Sequence, residues 1–406
     1  MRSEIVCKYL FIGFAAAASL FILGACTLFQ KEPTPENAMK RISGFFQPAF
    51  SDDLGYEDLE QGLLGSLEYL RRIPESRIFQ FGRDRFSAAH MIRSLEHFRT
   101  FIQTKPSAPD LKNFIGSNYR VYRSRGRDGW GRVLFTGYYE PLLEGRRTPT
   151  PEYRFPVYAR PQDLITVDLS LFSEKYKGQK IIARIADQTV VPYYDRREID
   201  SEGVLHGKAE TLAWVKDPVD IFFLQIQGSG RIRLDDGQVL NVHYHASNGR
   251  PYRSIGRLLI EQNKIPRSEM SMQQIRAYLR AHPDEIETIF NYNPSYVFFK
   301  LESDGPLGSL GVKLTPGRSV ALDRRLFPPA ALAFIVTQKP RVNGAGQIDS
   351  WTDCTRFVTN QDTGGAIRGP GRADLFWGHG AYAETAAGHM QQEGRLYFLI
   401  LKPEKS

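Results

Sequence analysis

The sequence predicts a mainly β protein that has helices at its start and in its middle and ends in a small closed β-barrel. Near the start, leucines recur at the spacing of one face of an amphipathic helix: Leu59, Leu63, Leu67 and Leu70. From about residue 310 onward, short strand-forming runs are separated by spacers rich in glycine and proline, which is the pattern of a small closed barrel.

Length and composition exclude several classes of protein. At 406 residues the chain is long enough for two or three domains, and its hydrophobic content of 42% excludes a wholly disordered chain. The net charge of +8 suits a polyanionic partner. No basic helix or zinc-finger spacing is present, so we expect no nucleic-acid binding. The three cysteines, Cys7, Cys26 and Cys354, are too few for a disulfide scaffold.

The first 26 residues have the pattern of a secretory signal. Arg2 and Lys8 mark a charged stretch, and the apolar run over residues 9–23 is shorter than the roughly 20 residues that span a membrane. The run ends Leu23-Gly24-Ala25-Cys26, which resembles a bacterial lipobox; the alternative is an uncleaved signal helix. The resemblance implies that residues 1–25 are removed and that Cys26 carries a lipid.

The segment after the lipobox predicts where the protein is held. Thr27, rather than an aspartate, follows Cys26, which implies sorting to the outer membrane on its periplasmic face. We expect residues 26–45 to form a tether between the lipid and the folded part, because residues 27–36 are polar and contain two prolines. The sequence identifies no protein partner.

The remaining elements follow from hydrophobic periodicity and from breakers. Helices are predicted over residues 56–72 and 84–103, and Pro106 ends the second. Two more are predicted over residues 254–262 and 271–280, the latter with Ser271 as its N-cap. Strands are predicted over residues 133–139, 155–158, 221–226, 319–323, 331–337, 356–360 and 395–401.

The densest cluster of candidate chemistry lies between residues 361 and 378. Asp362 and Asp374 stand 12 residues apart in glycine-rich turns, beside Phe376 and Trp377. A carboxyl group that donates a proton to a glycosidic oxygen needs apolar surroundings to raise its pKa, and Trp377 also offers a stacking face for a sugar. The alternative is that both aspartates cap strands in Asx turns.

Two further segments carry groups suited to sugars. Residues 225–230 leave a predicted strand, and their amides and hydroxyl are suited to hydroxyl and N-acetyl groups; the candidates are Gln227, Gly228, Ser229 and Gly230. Residues 135–141 hold Tyr138 and Tyr139, which are suited to line a saccharide groove. The alternatives are a tight turn for the first segment and strand-end packing for the second.

The sequence gives less support to a metal site and to proton donors other than the two aspartates. His243 and His245 alternate on one face of a predicted strand, with Cys354 as a third candidate ligand. No fourth ligand stands at structural-zinc spacing, so we predict hydrogen-bonded histidines and no metal site. Glu140 and Glu302 are the acidic alternatives as proton donor, but neither has comparable glycine and aromatic surroundings.

Taken together, these segments resemble the membrane-bound lytic murein transglycosylase A family over roughly residues 132–402. The resemblance is carried by residues 135–141, 226–230, 248–256, 293–299 and 361–378. The final part is similar to the family's 3D domain, named for three aspartates that fall here on Asp323, Asp362 and Asp374.

The resemblance implies a fold and a set of roles. A double-psi β-barrel is formed by residues 46–140 and 310–402, with the N-terminal helices, and a second β-rich domain, residues 141–309, is inserted into it. A groove for a glycan strand lies between the two. Asp374 is implied to be the single catalytic acid and base, with Asp362 in a supporting role. The candidate substrate-binding residues are Tyr138, Tyr139, Gln227, Gly228, Ser229, Gly230, Asn248, Tyr252 and Trp377.

The implied activity is cleavage of the β-1,4 bond between N-acetylmuramic acid and N-acetylglucosamine in peptidoglycan. The product carries a 1,6-anhydromuramoyl end, and no metal or organic cofactor is required. The alternatives are a hydrolytic muramidase and a peptidoglycan-binding lipoprotein without activity.

Two positions depart from the family's pattern. Asn360 stands where family members usually have a small apolar residue, and Pro328-Pro329-Ala330 replaces a Pro-x-Gly turn. We expect the first to affect packing around Asp362 and the second to affect one turn of the barrel. Neither is expected to affect Asp374.

Overall fold

The computed structural model describes residues 32–404. The predicted signal peptide, Cys26 and the first part of the predicted tether therefore lie outside the described residues. Within residues 32–404, no helix is both long enough and apolar enough to cross a membrane.

Helices cluster in the first third of the described chain and in its middle, as predicted. Their bounds are α1 Pro35–Ala38, α2 Leu59–Arg71, α3 Ala88–Ile102, α4 Ala108–Asn118, α5 Pro218–Gln227, α6 Ile255–Glu261, α7 Met272–Ala281, α8 Ile286–Asn291 and α9 Ala381–His389.

Strands make up most of the remaining ordered structure. The first ten are β1 Met39–Ile42, β2 Ile78–Phe81, β3 Asp84–Ser87, β4 Tyr119–Ser124, β5 Val133–Glu140, β6 Leu142–Arg146, β7 Phe155–Tyr158, β8 Ile165–Asp168, β9 Lys180–Ala186 and β10 Thr189–Pro192. They are followed by β11 Thr211–Val215, β12 Ser229–Leu234, β13 Val239–Ser247, β14 Val297–Glu302, β15 Ser319–Ala321, β16 Leu332–Val342, β17 Ile348–Asp362, β18 Arg372–His379 and β19 Gln391–Leu401.

Six of these strands close into a barrel. Their order around it is β19, β16, β17, β15, β18 and β5, and pairing of β5 with β19 completes the ring. The pairs β15–β17 and β18–β5 are parallel, and the other pairs of the ring are antiparallel. Two more strands, β4 and β1, extend the sheet from β19. The tether predicted over residues 26–45 is therefore wrong for its last part, because α1 and β1 lie within it and bury Ala38 and Met39 in the main core. The predicted closed barrel in the last part of the chain is confirmed.

The N-terminal helices pack against this barrel and share its core. The four leucines that predicted the first helix are all fully buried on α2. Together with Phe98 of α3 and Phe357 of β17, whose ring centroids are 4.9 Å apart, they belong to the largest hydrophobic cluster of the described residues. The predicted apolar face is therefore the face that packs on the barrel.

A second β-rich region lies between β5 and β15. Its main sheet has the strand order β14, β13, β12, β6, β11 and β7, and a small antiparallel sheet of β10, β9 and β8 accompanies it. Helices α5 to α8 form a separate hydrophobic cluster beside the main sheet. The predicted fold class, mainly β with helices, a closed barrel and an inserted β-rich region, is confirmed. The boundary positions 141 and 309 stay a prediction.

The strand predicted at residues 221–226 is wrong, because these residues lie in helix α5. The Asp217 side chain accepts a hydrogen bond from the Val219 backbone N–H, and Gly228 ends the helix in a left-handed conformation. Helix α5 packs Ile221 and Leu224 against the β-sheet and Phe222 against the other helices. A helix buried on both sides has no polar face, so its sequence lacks helical periodicity.

The second predicted helix begins four residues later than expected. Residues 84–87 form β3, which pairs with β2 as a hairpin, and α3 starts at Ala88. The Ser87 hydroxyl accepts a hydrogen bond from the His90 backbone N–H and so caps the helix. Helices α1, α4, α8 and α9 were not predicted.

The two departures from the family pattern lie at one turn and contact each other. The Asn360 side-chain amide donates a hydrogen bond to the Pro328 carbonyl oxygen at 2.8 Å, and the Ala330 N–H donates to the Asn360 carbonyl oxygen at 2.7 Å. Ala330 has a φ of +61°, the left-handed conformation that glycine adopts more easily. Asn360 therefore holds the turn in which alanine replaces the usual glycine.

Gly137 of β5 packs so closely against Trp377 and Ala387 that a larger side chain would not fit without a shift of these neighbours. A Cβ at this position would lie 2.5 Å from Trp377 Nε1 and 2.9 Å from the Ala387 Cα atom. We expect Gly137→Ala to lower the free energy of unfolding by about 1–3 kcal/mol, the usual cost of overpacking. Denaturant unfolding measures it. Gly344→Ala is the matched control, because a Cβ at Gly344 meets nothing within 4 Å; an equal loss in both variants would contradict the packing argument.

Candidate active site

Asp374 lies within strand β18, not in a turn as predicted. Its neighbours across the sheet are Ala321 of β15 on one side and Thr136 of β5 on the other. The Thr136 hydroxyl donates a 2.5 Å hydrogen bond to Asp374 Oδ1. The side chain is half-buried on the face of the strand that it shares with Phe376, because successive strand residues point to opposite faces.

Asp362 is the last residue of β17 and lies across the same short strand, β15. Ala321 is paired with Asp362 on one side and with Asp374 on the other. The two aspartate backbones are therefore about 10 Å apart, two strand spacings. The sequence predicted that these carboxylates act together, and the barrel places them on neighbouring positions of one surface.

The Asp362 carboxylate is held by three donors. The backbone N–H groups of Ser309 and Thr363 donate to Oδ1 at 2.9 Å and 2.8 Å. The Tyr138 hydroxyl donates to Oδ2 at 2.9 Å. Tyr138 itself is buried in a small apolar cluster, defined by Tyr138, Leu314, Ala321, Ile367 and Phe376. Both oxygens of Asp362 are thus engaged by the protein.

Burial governs the acid–base properties of both aspartates. Burial raises the pKa of Asp374, while the Thr136 hydrogen bond and the positive charge of Arg372 oppose the rise. Burial also raises the pKa of Asp362, and the nearby Asp374 raises it further, against the three donors. Each pKa lies above its ordinary value, so the site favours the protonated form of a carboxyl group more than water does.

A cavity of about 610 Å³ lies between the barrel and the inserted region, and its lining includes Arg372, two residues before Asp374 on β18. The barrel contributes Gly137 of β5 and Arg372 of β18 to its lining. The inserted region contributes Gln227 at the end of α5 and Tyr252, which is 40% exposed. We call this cavity the groove; it lies where the sequence predicted a groove between two β-rich regions.

Four of the predicted substrate-binding residues lie at the groove or beside the aspartates. Gln227 and Tyr252 line the groove, Gly228 follows Gln227 with open space where a Cβ would lie, and Tyr138 holds Asp362. The Gln227 side-chain oxygen accepts a hydrogen bond from the Tyr139 backbone N–H at 3.1 Å, which joins the end of α5 to β5.

Trp377 is not positioned as the predicted stacking face. It lies on the opposite face of β18 from Asp374, is only 8% exposed, and packs in the main core against Tyr382 and the Arg356 guanidinium. Strand alternation explains the error: Trp377 is three residues from Asp374, so the two side chains point to opposite faces.

The other predicted binding residues are buried and have structural contacts. The Asn248 side chain donates to the Tyr194 and Pro294 carbonyl oxygens, so it ties two loops together. Tyr139 is 4% exposed and donates to Glu384. Ser229 and Gly230 lie buried in β12 and do not line the groove.

The third aspartate of the pattern, Asp323, has a structural environment. It is fully buried, and its carboxylate accepts hydrogen bonds from the Arg325 guanidinium at 2.7 Å and from the Gly369 N–H at 2.8 Å. Burial acts to raise its pKa, but these partners outweigh burial, so the pKa of Asp323 is lowered. The ionised Asp323 carboxylate thus holds the loop between β17 and β18 in place through its hydrogen bond from Gly369.

The alternative proton donors and metal ligands lie apart from the aspartates. Glu140 forms an ion pair with Arg231 at 2.8 Å, and Glu302 one with Lys300. His243 is buried and accepts a hydrogen bond from the Leu307 N–H at 3.3 Å. Among residues 32–404, no group of three His, Cys, Asp or Glu side chains is arranged to hold a metal ion.

Cys354 is a free thiol buried in the barrel core. Burial raises its pKa to about 11, so the thiol is protonated and unreactive at neutral pH.

Two site residues were missed in the sequence, Thr136 and Arg372. Thr136 stands two positions before Tyr138, so strand alternation alone places both side chains on one face. Arg372 stands two positions before Asp374 and could be found in the same way. Strand alternation does not predict that β5 and β18 pair in parallel, and it is this pairing that brings Thr136 to Asp374.

Two family models match most of the barrel and the inserted region. The MltA specific insert domain matches residues 134–300, and the 3D domain matches residues 318–400.

Curated relatives match over about the same share of both chains. Membrane-bound lytic murein transglycosylase A of Escherichia coli (strain K12) is 31% identical over 297 residues, 72% of this chain and 73% of the relative. The Vibrio cholerae protein of the same name is 32% identical over 282 residues, 68% of each chain.

Solved structures are similar over almost the whole fold. A membrane-bound lytic murein transglycosylase from Agrobacterium tumefaciens has a TM-score of 0.73 at 29% identity, covering 90% of this chain and 98% of that one. MltA from Neisseria gonorrhoeae, monoclinic form, has a TM-score of 0.67 at 28% identity, covering 90% and 93%. Escherichia coli MltA with bound chitohexaose is similar in fold, with a TM-score of 0.70 at 23% identity, covering 92% and 97%.

Proposed function

The chain belongs to the membrane-bound lytic murein transglycosylase A family, and we propose that it cleaves the glycan strands of peptidoglycan with Asp374 as its one acid–base group. The bond cleaved is the β-1,4 bond between N-acetylmuramic acid and N-acetylglucosamine. The groove between the barrel (residues 46–140 and 310–402) and the inserted region (residues 141–309) would hold the strand.

In the first half of the reaction, protonated Asp374 donates its proton to the glycosidic oxygen. The C1–O bond of the muramoyl residue breaks, and N-acetylglucosamine leaves with the proton. Positive charge develops on the muramoyl ring, as in other glycosidic cleavages. The raised pKa of Asp374 supports this role, because a proton donor must hold its proton at neutral pH.

In the second half, the Asp374 carboxylate takes the proton of the muramoyl C6 hydroxyl. The C6 oxygen attacks C1 of the same sugar and forms the 1,6-anhydro ring, and Asp374 is protonated again. Because the nucleophile belongs to the substrate, no second carboxylate and no water are needed. Intramolecular attack gains rate from the high effective concentration of the hydroxyl.

Asp374 is assigned as the acid–base group, rather than Asp362, because fewer of its carboxylate oxygens are hydrogen-bonded. Three donors engage both oxygens of Asp362, whereas among residues 32–404 only Thr136 donates to Asp374, at Oδ1. Oδ2 of Asp374 is therefore the carboxylate oxygen left for a substrate. We assign Asp362 a supporting role, in which its carboxylate lies near the charge that develops on the sugar.

Removal of the Thr136 hydroxyl tests the acid–base assignment through pH dependence. Thr136 stabilises the Asp374 carboxylate, so Thr136→Val should raise the pKa of Asp374. The proton donor then survives to higher pH, and the alkaline limb of the kcat/KM profile should move upward. Thr136→Ser keeps the hydroxyl and should restore the original limb. An unmoved limb in Thr136→Val would exclude Asp374 as the titrating acid.

The mass of the products tests substrate, bond and mechanism together. Digestion of purified murein should release muropeptides one water lighter than the products of hydrolysis, because the 1,6-anhydro ring forms without water. Products with reducing ends would indicate a muramidase instead. A chain that binds murein sacculi without clearing their turbidity would be a non-catalytic binding protein.

We further propose that the protein is a lipoprotein of the outer membrane, with its folded part in the periplasm. The lipobox-like run that ends at Cys26 supports this proposal, and the relatives are named as membrane-bound. Cys26→Ser should abolish incorporation of labelled fatty acid and release the protein from the membrane fraction. Labelling that persists in this variant would place the lipid elsewhere.

A further inference from the structure

A second cavity lies beside Asp362, on the barrel side of the active site. Its volume is about 410 Å³, and its lining comes from the N-terminal part of the chain and from the barrel, together with Ser309 at the end of the inserted region. Three arginines, Arg77, Arg324 and Arg325, line it, and we call it the arginine pocket. Asp362 belongs to this lining and lies across β15 from Asp374, so the pocket borders the candidate active site.

The arginine pocket carries positive charge that the protein does not neutralise. Arg77 and Arg324 are exposed, and among the described residues neither forms an ion pair with a carboxylate. Arg325 is held by Asp323 at 2.7 Å. The one carboxylate of the lining is Asp362, whose hydrogen bonds go to Tyr138, Ser309 and Thr363.

The wall of the pocket is apolar. It is formed by Ile78, Phe79, Leu310, Leu326, Phe327 and Pro329. The Arg77 guanidinium lies 5.4 Å from the centre of the Phe79 ring, so one guanidinium borders the apolar wall. Cations above an apolar wall suit a ligand that combines carboxylates with short aliphatic side chains.

We propose that the arginine pocket binds the carboxylates of the stem peptide that muramoyl residues carry, with Arg77 and Arg324 as the recognising cations. This inference rests on the proposed function, in which a muramoyl residue lies at Asp374. The stem peptide is attached to that sugar through its lactyl group, and it bears free carboxylates and alanine methyl groups. A chitin oligomer has neither, so the proposal distinguishes peptide-bearing strands from bare ones.

Binding of a muramoyl peptide tests the proposal without relying on catalysis. The full chain in detergent is titrated calorimetrically with N-acetylmuramoyl tetrapeptide, and with the same compound after amidation of its carboxylates. Charged hydrogen bonds to carboxylates predict that the free acid binds about tenfold tighter or more. In Arg77→Gln/Arg324→Gln the ratio of the two affinities should fall towards one. Arg341→Gln, an exposed arginine of β16, is the matched control and should keep the ratio.

Two results would overturn the proposal: equal binding of the free and amidated peptides by the unaltered chain, or an unchanged ratio in the double variant. The first uses no variant, so it stands even if the double variant does not fold. Cleavage of peptide-free glycan strands is measured alongside. If the unaltered chain cleaves neither kind of strand, the proposed function fails, while the titration still decides whether the pocket recognises the peptide.

Discussion

Asp374→Asn is expected to lower kcat for murein cleavage by about 10³- to 10⁴-fold, the upper part of the range for one acid–base group. The effect should be this large because the same carboxyl group serves in both halves of the reaction. Asparagine has nearly the same shape and can still accept the hydrogen bond from the Thr136 hydroxyl. Binding of murein should therefore be retained, which a sedimentation assay with sacculi measures beside the kinetic assay.

The matched control for this variant is Asp353→Asn, an exposed aspartate of β17 on the same barrel. It should leave kcat unchanged. A rate near that of the unaltered chain in Asp374→Asn would show that another group transfers the proton. Loss of murein binding together with activity would point instead to damage of the groove.

Arg318→Met is expected to lower the free energy of unfolding by about 3–5 kcal/mol, the usual cost of removing one partner of a buried ion pair. Arg318 and Asp52 are both buried, and two guanidinium nitrogens contact the two carboxylate oxygens at 2.7 Å and 2.9 Å. Arg318 also donates to the Glu57 and Phe357 carbonyl oxygens. The pair joins the segment before α2 to the residue that precedes β15, and its loss leaves Asp52 buried without its cation.

Denaturant unfolding of single and double variants measures this effect. Arg318→Met/Asp52→Asn should lose less stability than the sum of the two single variants, because no uncompensated charge remains. Lys177→Met is the control, since the Lys177–Glu174 pair is exposed and such pairs contribute about 0–1 kcal/mol. Equal losses in Arg318→Met and Lys177→Met would show that burial of the pair does not matter.

The predictions that succeeded depend on local patterns. The leucines of α2 mark its buried face because residues three and four apart share one side of a helix. The Ser271 hydroxyl caps α7 as predicted, accepting a hydrogen bond from the Gln274 N–H at 3.1 Å. Such features involve residues that are near each other in the chain, so a single sequence contains them.

The predictions that failed depend on neighbours that are distant in the chain. Residues 221–226 look like a strand because α5 is buried between a sheet and other helices. Trp377 looks like a sugar platform beside Asp374, but its face of β18 is the face that the core covers. Composition cannot separate a buried aromatic from an exposed one without the strand's orientation.

By itself, the sequence predicted the mainly β fold class from local patterns, and its resemblance to a family pointed to Asp362 and Asp374; the lipid anchor at Cys26 stays a prediction. Only the tertiary structure decided which groups surround the carboxylates. Parallel pairing of β5 with β18 brings Thr136 to Asp374 across 238 positions of the chain, and Tyr138 reaches Asp362 across 224. Contacts of such separation follow from the closure of the barrel, and hydrophobic periodicity along one strand contains no information about its partner. The pKa of each aspartate and the oxygen left free for a substrate are therefore properties of the closed barrel.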